Sequence, residues 1–192
     1  MAELAELLIV VGAATPPGRL AAAMKFAEEA AAGGGAAASL LNLAETRVEI
    51  CDGRPLDGYG AATRQAVARI AAAAAVLIAA PVYRATYPGV LKNLLDIVPV
   101  EGLQNKPVGI VAMGGSPHHY LGVDSQLRHV LAWFGALVAP TSVYLTGADF
   151  QDGQLSAATA RQDLAALTQT LIDLARLDPA RLGPKPLAAR FT

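Results

Sequence analysis

Val76-Leu77-Ile78-Ala79-Ala80 is a continuous apolar run closed by Pro81, a residue that cannot donate to a sheet ladder. A short run with no polar alternation reads as a strand buried on both faces. Upstream, Ala61 to Ala73 has the composition of a short helix. Downstream, Pro88 stands at a favourable first-turn position for a helix through Leu91, Leu94, Leu95 and Val98. The same alternation continues in both directions. Glu6 to Val11 is a second buried strand, stopped by Gly12, and a helix over residues 19–32 follows and ends at Gly33-Gly34-Gly35. Residues 38–43 form a weaker strand, and residues 44–60, rich in Gly, Pro and Asp, a long excursion. After the Pro88 helix come a strand at residues 108–113, a helix over 121–137, a strand at 141–145 and a last helix over 157–177.

Strand and helix in alternation predict an α/β fold with a parallel sheet and helices on both faces. Five strands suit the flavodoxin-like order 2-1-3-4-5, whose ligand lies beyond the strand C-termini where the order reverses. We place the domain at residues 1–177 and a tail at 178–192, read as exposed or as clasping a partner. The chain of 192 residues has one cysteine, Cys51, so it holds no internal disulfide. Net charge is −1, which does not suit a nucleic-acid binder. The acidic N-terminus does not suit a signal peptide, and the longest apolar run is too short to span a bilayer. These features predict a cytoplasmic protein with neither a membrane nor a nucleic acid as partner. Charged residues are 16% of the chain against roughly 25% on average, which predicts surface buried against another subunit.

The three segments after strands one, three and four are the candidate site. Gly12-Ala-Ala-Thr-Pro-Pro-Gly-Arg19 opens a helix, where unpaired N–H groups, Thr15 and Arg19 suit an anion; it reads equally as an ordinary strand-to-helix turn. Ala80-Pro-Val-Tyr-Arg-Ala-Thr-Tyr-Pro-Gly89 holds two tyrosines and an arginine, which stack on a flat, electron-poor ring; tyrosines packing under a loop are the plain alternative. Met113-Gly-Gly-Ser-Pro-His-His-Tyr-Leu121 pairs glycines at a strand end, permitting close approach of backbone to ligand. His118 and His119 are adjacent and would diverge on a helix, so a shared metal site is not expected. A structural or helix-capping role suits one of them better.

In this order and spacing the three segments resemble the NADPH-dependent FMN reductase family, especially the reductases that feed alkanesulfonate monooxygenases. The closest stretch, from about Val76 to Phe150, includes Ala80-Pro-Val-Tyr-Arg-Ala-Thr-Tyr, Gly89-Val-Leu-Lys-Asn-Leu-Leu-Asp96, Gly114-Gly-Ser and Val123-Asp-Ser-Gln-Leu-Arg-His-Val-Leu131. The resemblance implies a flavodoxin-like fold, FMN with NADPH or NADH, and a homodimer or homotetramer whose neighbouring subunit helps cover the flavin. It implies that Pro81, Val82, Tyr83 and Arg84, with Tyr87 nearby, line the isoalloxazine ring, and that Gly114, Gly115 and Ser116 close on it, with His119 beyond. The segment from Gly12 through Thr15 and Arg19 to Leu20 would receive the phosphate. One departure stands out. The family's first loop reads Gly-Ser-x-Arg with hydroxyls at the helix start, whereas this chain has Ala13, Thr15, Leu20, Ala21 and Ala22 there, and Pro16 and Pro17 lack N–H donors. The function implied is hydride transfer from nicotinamide to flavin for a flavin-dependent monooxygenase. The alternatives are an FMN-bound quinone or azo reductase, and a non-catalytic paralogue acting as a subunit.

Overall fold

In the computed structural model, which describes residues 6–15, 18–177 and 184–190, the apolar run at Val76 lies inside β3 (Ala75–Pro81), the middle strand of the sheet. It is flanked by β1 (Leu7–Val11) on one side and β4 (Pro107–Met113) on the other, both parallel to it, in registers that pair Ile78 with Val10 and with Ile110. β2 (Ala38–Asn42) closes the β1 side. Beyond β4 the fifth position is shared by β5 (Leu137–Val138) and β6 (Val143–Leu145), each parallel to β4. The order is therefore β2-β1-β3-β4-β5, the flavodoxin-like order expected.

Side chains alternate across the sheet, so the buried strands feed two cores. Leu8, Val10, Ile78 and Ile110 meet α2 (Ala61–Ala72), α3 (Gly89–Ile97) and α4 (Tyr120–Phe134) on one face. Leu7, Ile9, Leu77 and Val111 meet α1 (Arg19–Gly33) and α5 (Ala158–Leu174) on the other. Because both faces are covered, the strands are uninterruptedly apolar. Among the described residues no helix is long and apolar enough to cross a membrane.

Three details differ from the pattern reading. α4 ends at Phe134, not at residue 137, because Gly135 takes the left-handed conformation (φ 65°) and donates to Ala132, a stop that a side chain would oppose. The fifth strand is interrupted at residues 139–142, where Pro140 has no N–H to give; its carbonyl instead accepts from Nη2 of Arg128 at 3.1 Å. A hairpin of β7 (Phe150–Gln151) and β8 (Gln154–Leu155) follows, turned by Asp152 and Gly153 at φ 49° and 79°. Asp-Gly is the ordinary signal for such a turn. Of the tail, residues 178–183 and 191–192 lie outside the described residues; Pro186 lies against Gly135, and Ala188 is buried.

Candidate functional site

The strand order reverses at β1 and β3, and a cleft of about 370 Å³ opens beyond their C-terminal ends. Val11, Asn42, Pro81 and Met113, each at or within one residue of a strand end, form its floor. Ala13, Thr15 and the start of α1 form its wall. α1 begins after Gly18 with no side-chain cap, and the first helical bond across its start runs from Ala22 N–H to the Gly18 carbonyl at 3.0 Å. The amides of Arg19, Leu20 and Ala21 therefore lack intrahelical acceptors beside the cleft. Thr15 and Arg19 are exposed there, and Gly147 leaves room for the Arg19 guanidinium, whose Nη1 lies 3.2 Å from where a Cβ at 147 would stand. Leu20 borders the cleft, and its side chain belongs to the core between α1 and the sheet. Gly12 does not line the cleft: its N–H is given to Ala79, and a Cβ there would come within 2.9 Å of Leu91. Its smallness serves the approach of α3. Pro16 and Pro17 lie outside the described residues.

The second segment is a tight hairpin. Tyr83 and Thr86 exchange both backbone hydrogen bonds (2.7 and 3.1 Å), with Arg84 and Ala85 between them at φ 50° and 65°. Positive φ at both central positions is the geometry that Asn-Gly normally supplies, and two side chains here store strain of about 1–3 kcal/mol each. Tyr83 and Arg84 are exposed. Tyr87 instead packs on the core beneath, and burial raises its phenol pKa. The two tyrosines therefore divide: one faces outward and the other supports the loop.

Val82 N–H donates to Met113, joining this hairpin to the third segment. There Gly114 N–H donates to Leu145, and the Tyr144 hydroxyl donates to Ser116 at 2.7 Å. Gly115 is exposed and Ser116 half-buried. His118 and His119 are exposed, and His119 occupies the residue before α4 without a side-chain capping bond, so of the structural or capping role expected of one histidine the capping alternative is not filled there. Among the described residues no group of histidine, cysteine and carboxylates is placed to hold a metal.

Three residues of this region were not anticipated from sequence. Asn42 is nearly buried, gives Nδ2 to Glu45 and accepts from Ala44 N–H; a polar residue ending an apolar strand at the ligand edge was the available signal. Met113 occupies the same position on β4. Tyr144 left no local signal, because its partner is 28 residues away. Two further motif residues are structural. Asn93 accepts from Cys51 N–H and donates to the Glu49 carbonyl, both at 2.8 Å, fastening the 44–60 excursion to α3. Asp124 and Arg128 pair within α4 at 2.9 Å, aiming Arg128 at Pro140.

Residues 5–151 match the profile of the family described as NADPH-dependent FMN reductase. A curated relative, the NAD(P)H-dependent FAD/FMN reductase of Geobacillus thermodenitrificans, is 38% identical over 105 residues, 55% of this chain and 57% of that protein. The NADH-dependent FMN reductase SfnF of Pseudomonas fluorescens is 46% identical over 81 residues, 42% of this chain and 43% of that protein. The chain thus spans about half the length of the curated relatives it matches. The solved NADH:FMN oxidoreductase EMOB, in its apo form, superposes with a TM-score of 0.64 at 24% identity, covering 90% of this chain and 88% of the other, which is a likeness of fold.

Proposed function

The chain belongs to the NADPH-dependent FMN reductase family, and from that premise we propose that it transfers hydride from a nicotinamide nucleotide to FMN held in the cleft at the β1/β3 switch point. The observation that carries this reading is the convergence on one cleft of an uncapped helix start, Thr15, Arg19 and the ends of β3 and β4. These groups fit FMN: open amides and a guanidinium suit its phosphate, and the hairpin of Tyr83 and Arg84 with the Gly114–Ser116 turn suits the edges of a planar ring. Bound flavin would supply the hydride acceptor, so the protein needs no nucleophile or general base. Its own residues bind and orient. The amides of Arg19, Leu20 and Ala21 would hold the anion and Arg84 would place positive charge at the ring, while the Val82–Met113 bond ties the hairpin to the third segment and Tyr144 anchors the 114–116 turn.

The same reading includes a homo-oligomer, a cytoplasmic setting and a flavin-dependent monooxygenase as consumer of the reduced flavin. Support for self-association comes from the outer face of α4, where Leu121, Ser125, Gln126, His129, Ala132 and Trp133 lie without an acidic or basic chain among them other than histidine, and Trp133 is 64% exposed. The test is anaerobic oxidation of NADPH and NADH with FMN, riboflavin and FAD. Nucleotide oxidation that depends on added flavin is the expected result, and no turnover with any flavin would overturn the proposal.

A further inference from the structure

A second cavity, of about 440 Å³, lies on the same sheet edge across the first loop: Ala14 lines it, while Ala13 and Thr15 line the flavin cleft. Its size falls within the roughly 300–1,000 Å³ of small-molecule sites. One wall is the strap after β2, with Thr46, Arg47, Val48 and Ile50; the other is the start of α3, with Val90 and Asn93. Ile50, 75% exposed, adds an apolar side chain to this wall. The strap is not loose, because Asn93 grips it at Glu49 and Cys51.

The charges of this strap are unevenly satisfied. Glu45 accepts from Asn42, and Glu49 accepts from Arg54 at 3.0 Å and from Gly60 N–H. Among the described residues Arg47 has no ion pair and no hydrogen bond. A rigid hollow with an apolar floor and one uncompensated guanidinium at its rim is built for a flat apolar group carrying an anion. We propose that this cavity takes the adenosine half of the nicotinamide nucleotide, with Arg47 binding the 2′-phosphate and so selecting NADPH over NADH. This inference rests on the reductase reading above. The adenine would lie among Val48, Ile50 and Val90, and the nucleotide would reach the flavin over the 81–88 hairpin, whose far end adjoins Gly89 of the cavity. Guanidinium forks match phosphate oxygens in two parallel bonds, which lysine or an amide does not reproduce.

The probes are 2′,5′-ADP and 5′-AMP, titrated calorimetrically into the protein saturated with FMN, for the unmodified chain and for Arg47→Ala. A charge-assisted hydrogen bond corresponds to about tenfold to a hundredfold in affinity. The unmodified protein should therefore prefer 2′,5′-ADP by at least tenfold, and Arg47→Ala should erase that preference without changing 5′-AMP. In steady state the variant should raise KM for NADPH by a similar factor and leave kcat and the KM for NADH unchanged. Equal affinity for the two probes in the unmodified protein, a preference that survives Arg47→Ala, or binding of 2′,5′-ADP only when FMN is absent would each overturn the assignment. Failure of the reductase reading looks different: neither nucleotide would then reduce flavin at all.

Discussion

The carbonyl oxygen of Ala85 lies 2.9 Å from the point that a Cβ on Gly122 would occupy. The strained turn that presents Arg84 is therefore seated directly on the backbone of α4, at a helical glycine with no positive φ to require it. Gly-to-Ala inside a helix ordinarily stabilises by about 0.5–1 kcal/mol. At this position the new methyl meets backbone, so Gly122→Ala should forfeit that gain and lower the thermal midpoint. Flavin binding should weaken in parallel, read as quenching of flavin fluorescence on titration. A raised midpoint with unchanged binding would show that the turn is free to move.

Arg84 sits at φ 50°, a conformation that asparagine tolerates better than arginine. Arg84→Asn should therefore stabilise the chain, by up to about 1 kcal/mol, while slowing flavin reduction in stopped flow. Ala85→Gly, at φ 65°, should stabilise similarly and leave the reduction rate nearly intact. The opposite signs for stability and rate at Arg84 separate a ligand role from a surface one.

The Tyr144 hydroxyl stands only 1.9 Å from a Cβ position on Gly114, so nothing larger than glycine admits the bond to Ser116. Tyr144→Phe should loosen the 114–116 turn at a cost of about 1 kcal/mol. Gly114→Ala should do more damage, since it expels the whole ring. Both variants should weaken FMN and riboflavin alike if, as proposed, the turn faces the ring and not the phosphate; calorimetric titration of both flavins checks this.

At the phosphate end the expectation is the reverse. With the open amides and Arg19 as the phosphate's partners but alanine at 13 and threonine at 15, FMN should be preferred to riboflavin by no more than about tenfold. Ala13→Ser with Thr15→Arg should tighten FMN by about tenfold to a hundredfold and leave riboflavin unchanged. If the unmodified protein already prefers FMN a thousandfold, the helix amides and Arg19 suffice.

Lys106 donates to the carbonyls of Ile70 and Ala71 at the end of α2, and burial brings its pKa down to about 8 from the ordinary 10.5. Between those values the unfolded chain holds a proton that the folded chain has released. Stability should therefore rise with pH from about 8 towards 10.5 through this group. The bonds persist, because a neutral amine still donates. Denaturant midpoints at pH 7.5 and 9.5 should show a difference that shrinks in Lys106→Met.

What the sequence determined by itself was periodicity and punctuation. Apolar runs at Glu6–Val11, Val76–Ala80 and residues 108–113 could be read because strands buried on both faces leave no polar alternation, and five such strands alternating with helices suited the flavodoxin-like order. Thr15, Arg19 and Pro81 could be placed at the cleft because loops after such strands must gather at one edge. Only the tertiary structure decided which groups share a contact. Gly12, read within the segment that would receive the phosphate, has its N–H given to Ala79 and its bare Cα admitting Leu91; Asn93 and Arg128, which lie in stretches that carry the family resemblance, fasten the strap and the Pro140 turn. Tyr144 meets Ser116, and Ala85 meets Gly122, across 28 and 37 residues of chain that local propensity does not couple. Such pairs arise from close packing of elements already formed, and packing distances of a few ångströms are not encoded in any one segment.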